Sequence, residues 1–249
     1  MADDFFYRAD PPENLAGDDI AALAKLQEQC GLSVATPGHP LTPEEMKTGP
    51  HEAIERSGAD LERAKEGLIP VKLCLPLPGL NGLDPMLLGG LIGNLISDGA
   101  KILEFDGRTL SDPAVDLGDD GFTLAGLLRP DGFRLAVHLG ALSAWTPERL
   151  TEVTEELAAD RYVFETAPGA DYSVLSALPE EALAVLGLVD ASGQIDADAV
   201  LDALDAIDEI LGQDRMALTA TGPITDAAVQ KEVLTQIADI SVRFFGFAA

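Results

Sequence analysis

The sequence predicts an α/β fold of a single domain over residues 1–249, a (β/α)8 TIM barrel, and three observations carry that prediction. Short apolar, β-rich runs alternate along the chain with segments of helical spacing, the pattern of a parallel sheet whose crossovers are helices. Eight runs can be read as strands, and 249 residues is an ordinary length for eight such units. No G-x-G-x-x-G turn follows any of them, so an open doubly wound sheet loses its commonest support.

In order, FFYR (Phe5 to Arg8) is a short first strand, and Ile20, Leu23, Ala24 and Leu26 mark a helix that stops before Gly31. LSVAT (Leu32 to Thr36) is the second strand, closed by PGHP. Residues 42–67 are polar and charged, a helical excursion interrupted at Gly49-Pro50. PVKLCLPL (Pro70 to Leu77) is the third strand, followed by an apolar helix within Leu83 to Ile96. Glycine inside a helix costs about 1 kcal/mol against alanine, so Gly89, Gly90 and Gly93 imply close packing against a neighbouring element.

KILEFDG (Lys101 to Gly107) is the fourth strand. Asp112 to Asp131 has little pattern beyond a short helix at Leu124 to Leu128. FRLAVHLG (Phe133 to Gly140) is the fifth strand, and the next helix is well signalled: Thr146 caps it, Pro147 opens its first turn, and Leu150, Val153 and Leu157 share a face. RYVFET (Arg161 to Thr166) is the sixth strand and AVLGLVD (Ala184 to Asp190) the seventh. The helix after it turns Val200, Leu204, Ile207 and Leu211 inward and Asp198, Asp202, Asp205 and Glu209 to water. MALTATG (Met216 to Gly222) is the eighth strand, and a helix from Val229 to Val242 closes the chain.

Composition narrows the function. Sixteen Lys and Arg against 43 Asp and Glu leave a net charge of -27, a field that repels phosphate backbones and anionic lipid heads and so argues against nucleic-acid and membrane partners. A solubilising acidic surface accounts for it without any partner. Two cysteines, Cys30 and Cys74, exclude a disulfide framework and fit a reducing cytoplasm. The acidic start MADDFFYRADPPENL is not a signal peptide, and the glycine-broken window Leu83 to Ile96 is too short to span a bilayer.

The stretch Phe133 to Thr166 carries the chemistry. Its two strands finish near His138 and Glu165, and in a parallel α/β fold functional groups gather at the carboxyl ends of strands, so the two can face one pocket. His138 is then a metal ligand, a general base, or a histidine satisfied by hydrogen bonds. Glu165 is a pocket carboxylate, a partner for His138, or a helix cap. Asp106 and Asp190 also end strands and could hold an amine or cation, although each begins a turn, a common use of aspartate. His39 lies in a loop near the same mouth, His51 in the charged excursion, and Trp145 packs beside the capped helix. Cys74 alternates with Lys72 and Pro76 on one side of its strand; it is a small core residue or a third donor beside His138 and Glu165.

Four stretches together resemble the catalytic C-terminal barrel of cobalamin-independent methionine synthase, in the superfamily that includes uroporphyrinogen decarboxylase. AALAKLQEQCGLSVATPGH is similar to "Q-x-x-A-G-L-D-V-x-x-x-G-E", and PVKLCLPLPG to "V-K-x-x-x-x-G-P". ISDGAKILEFDG is similar to "A-G-x-x-x-I-Q-I-D-E", and LGLVDASGQID to "L-G-x-V-D-x-x-S-x-x-I-E". The resemblance implies a zinc ion that binds a thiol as thiolate for attack on a methyl or alkyl donor. It places ligands at His138 and Glu165, while the two positions that are cysteine in the family are Gly140 and Thr221 here. The family's acid after the second strand reads His39, its Gly-Ser after the first strand is absent, and Gly107 follows Asp106 where an Asp-Glu pair is usual.

The resemblance therefore implies a divergent methyl- or alkyl-transferring enzyme with a degraded zinc site, in which His138 is base or ligand, Glu165 orients or co-ligates it, and Asp106, Asp190, His39 and Thr221 contact the substrate. The alternative is a non-catalytic small-molecule-binding or accessory protein of the same fold. A small molecule is the expected partner in either case, with self-association or an accessory role open. A structural subunit would need a large apolar outer face, for which Leu83 to Ile96 is the candidate.

Overall fold

The computed structural model describes residues 71–80, 85–97, 102–120, 133–189, 197–212, 215–221 and 244–248. Seven strands lie in one sheet: β1 (Val71–Pro76), β2 (Ile102–Asp106), β3 (Arg134–Ala141), β4 (Arg161–Thr166), β5 (Leu183–Val189), β6 (Met216–Thr221) and β7 (Phe244–Ala248). Every strand pairs in parallel with its neighbour in sequence, in the order β1-β2-β3-β4-β5-β6-β7. Parallel crossovers are almost always right-handed, so an order that never reverses sends each connection over the same face. An α/β fold with alternating strands and helices is what the sequence predicts.

Three helices accompany the sheet among the described residues: α1 (Pro85–Ser97), α2 (Pro147–Leu157) and α3 (Ala197–Leu211). The start of α2 is the one its sequence announces. Thr146 is extended and its Oγ1 accepts the Arg149 N–H at 3.3 Å, with Pro147 opening the helix, where the missing N–H costs nothing. Leu150, Val153 and Leu157 are buried. At the other end Ala158 is left-handed, with φ 45° and ψ 42°, and its N–H reaches Thr154 O. An alanine there bears a Cβ penalty that glycine avoids, so Ala158→Gly is expected to raise stability by about 1 kcal/mol, read as a higher melting temperature.

The two faces of the sheet differ. Tyr162 donates its hydroxyl to Thr154 O at 3.0 Å and accepts from Ala159 N at 3.1 Å, which fixes its face as the helix side. On that face lie Leu103, Phe105, Leu135, Val137, Leu139, Tyr162, Phe164, Ala184, Leu186 and Leu188, all essentially excluded from water, and they form the centre of the core. The opposite face carries the charge. Register sets Glu104, Ala136 and Arg161 in one row and Asp106, His138 and Val163 in the next, and Glu104 and Arg161 are both buried.

Some expectations need correction. Phe244–Ala248 is a seventh described strand beyond the last one that the sequence analysis names, paired to β6 at Leu218, Ala220 and Thr221. Three aromatic side chains in FFGFA suit a strand, and their nearness to the chain end disguised it. The glycines of α1 do not mark close packing: a Cβ at Gly89, Gly90 or Gly93 would meet nothing within 4 Å among the described residues. The expected strands at Phe5 to Arg8 and Leu32 to Thr36, the helix before Gly31, the 42–67 excursion and the helices at Leu124 to Leu128 and Val229 to Val242 lie outside the described residues. Trp145 packs as expected, buried and donating Nε1–H to Leu139 O at 3.0 Å. Among the described residues no helix is long and apolar enough to cross a membrane.

Candidate functional site

The carboxyl ends of β2, β3 and β4 form one constellation. Asp106 and His138 are Cα partners on adjacent strands, and Gly107 N–H extends the ladder to His138 O at 2.8 Å. From β4, Glu165 brings Oε1 to 3.4 Å from His138 Nε2. His138 pairs in register with Val163, so this contact is the diagonal one, two residues further along the neighbouring strand. The histidine is mostly buried, with 20% of its side chain exposed, while the glutamate is half exposed at 50%. The contact is an ion pair when the imidazole is protonated.

Between His138 and Gly140 the β3–β4 register shifts, and Gly140 takes a left-handed conformation with φ 72°. A Cβ built there would lie 3.1 Å from Arg108 Cγ. The missing side chain thus makes room for the aliphatic stem of Arg108, the first residue of the 3₁₀ turn Arg108–Ser111 that follows β2. Gly107 has a similar role: a Cβ would come within 2.7 Å of Val137 Cγ1. Both glycines stand where the resembled family has side chains; here a Cβ would clash with Val137 at Gly107, and at Gly140 it would crowd the Arg108 stem in backbone that is already left-handed.

Arg108 folds back onto Asp106. Its Nε donates to Oδ1 at 2.9 Å and its Nη2 to Oδ2 at 2.6 Å, and its backbone N–H also reaches Oδ1 at 3.1 Å. These bonds hold the Asp106 carboxyl below the usual carboxylate range: the side-chain bond from Arg108 is the largest cause, burial opposes it, and His138 adds a small attraction. A depressed carboxyl stabilises the fold above its unfolded pKa and loses that contribution as pH falls through the folded value. Asp106 therefore stays ionised, and the guanidinium stays locked, across the neutral and mildly acidic range.

Polar side chains staple the segments that follow β1 and β2. Asp120, fully buried, accepts from Gly79 N at 2.5 Å and Leu80 N at 3.0 Å, and Thr109 Oγ1 donates to Leu77 O at 2.9 Å. Arg149 of α2 donates to Leu110 O, Val115 O and Asp112 O at 2.9, 2.6 and 3.4 Å.

Of the residues singled out from sequence, His138, Glu165 and Asp106 come together. Cys74 lies in β1 and Thr221 ends β6, opposite Val189 in register; the side chains of both fall outside those described. His39 and Asp190 also lie outside the described residues. Sequence reasoning missed Arg108, whose signal was the Asp-Gly-Arg triplet at a strand end, and Arg149, which it left unnamed within the capped helix.

The described side chains do not fit zinc. Among them no three His, Cys, Asp or Glu gather around a point that could hold a metal ion. His138 and Glu165 supply two donors where a protein zinc site normally has at least three, and Asp106, the carboxylate in register with His138, is bound to a guanidinium whose positive charge disfavours a dication.

No family model and no curated protein matches the chain. Among solved structures, a protein of Toxoplasma gondii described as a deoxyribose-phosphate aldolase, in its apo form, is 11% identical, with a TM-score of 0.35, over 98% of this chain and 89% of that one. A Thermobaculum terrenum O-GlcNAc hydrolase carrying D120N is 12% identical, with a TM-score of 0.34, over 98% of this chain and 54% of its own.

Proposed function

We propose that this chain is a (β/α)8 barrel enzyme, akin to the methionine synthase-like superfamily, in which an acid–base pair, His138 with Glu165, replaces the zinc-bound thiolate centre. The observation that carries the reading is the 3.4 Å contact between them at the ends of adjacent parallel strands. The substrate is a small molecule, and the reaction is transfer of a methyl or alkyl group. A thiol of ordinary pKa near 8.5 is a weak nucleophile at neutral pH until something takes its proton. His138 accepts that proton and Glu165 stabilises the imidazolium; the sulfur then bonds to the alkyl carbon as the donor's leaving group departs with its electron pair.

Three histidines in the chain make the test direct. By proton NMR, with His138→Gln assigning the resonances, the ring resonances of His138 are expected to move in Glu165→Gln. Unchanged resonances would remove the pair. Purified protein is expected to carry no stoichiometric zinc, and zinc lost on His138→Ala would overturn the metal-free reading. Incubation with simple thiols and methylated folate or sulfonium donors is expected to give methyl transfer that His138→Gln abolishes.

One observation favours a second reading, a small-molecule-binding or accessory protein of the same fold. Asp106, the acid beside His138, is already engaged by Arg108 and is not set aside for a cationic substrate. Saturable binding without turnover in the same incubations would select it.

A further inference from the structure

We draw no further inference here: the strongest candidate, the exposed and uncharged face of α1 formed by Met86, Gly89, Gly90 and Gly93, carries nothing because nothing in the structure shows what covers it.

Discussion

Replacing Gly140 with valine is expected to destabilise the protein by about 3 kcal/mol, the combined cost of a β-branched residue in left-handed backbone and of a new contact with a packed neighbour. The backbone there has φ 72°, and a Cβ would stand 3.1 Å from Arg108 Cγ. Gly140→Ala, which adds the Cβ alone, is expected to lose about half as much. Urea midpoints measured on both variants test this. The two costs act on different parts of the molecule: strain stays in the β3 bulge, while the steric contact pushes Arg108 off its seat and away from Asp106. Gly140→Cys, which restores the residue type of the resembled zinc family, is expected to be destabilised as well and to bind no zinc. A wild-type midpoint in Gly140→Val would mean that the bulge tolerates a side chain and that glycine is incidental there.

What the sequence disclosed follows the range of the forces involved. The α2 cap was legible because Thr146, Pro147 and the Leu150, Val153, Leu157 face are determined within a few residues of one another. The solvated acids of α3 were legible for the same reason, since helical spacing puts Asp198, Asp202, Asp205 and Glu209 on one exposed face. The meeting of His138 with Glu165 was legible at one remove: parallel strands joined by one helix bring their carboxyl ends to the same edge. Gly140 was legible only as a missing cysteine. Its left-handed conformation arises where β3 and β4 lose register, a product of pairing between segments that no local pattern encodes. Arg108 had only the Asp-Gly-Arg triplet to announce it, because its contacts depend on Asp106 two residues before it and on Gly140 of the next strand. The glycines of α1 show the opposite failure. Their cost inside a helix suggested a packed interface, yet all three positions are exposed.

Arg149→Met is expected to destabilise the protein by about 3 kcal/mol, because hydrogen bonds from a charged donor are worth about 1.5–3 kcal/mol and the substitution leaves several carbonyls without their donor. The guanidinium is mostly buried and reaches Leu110 O at 2.9 Å and Val115 O at 2.6 Å, with a longer bond to Asp112 O. Methionine keeps the length and apolar stem of the side chain, so the loss measures the polar head. The bond to Glu152 at 2.8 Å adds little, since that carboxylate is largely exposed and such pairs are worth at most about 1 kcal/mol. Glu152→Ala serves as the control and is expected to sit near the wild type. The consequence reaches the site through the chain: the residues Arg149 pins begin at Leu110, inside the same 3₁₀ turn that Arg108 opens. Loosening that turn leaves Asp106 and Arg108 paired but lets them move together, while the His138–Glu165 contact between β3 and β4 should survive, so the His138 ring resonances are expected to match the wild type in Arg149→Met. Shifted resonances would show that the two halves of the site are coupled through the turn, contrary to the independence their separate anchors imply.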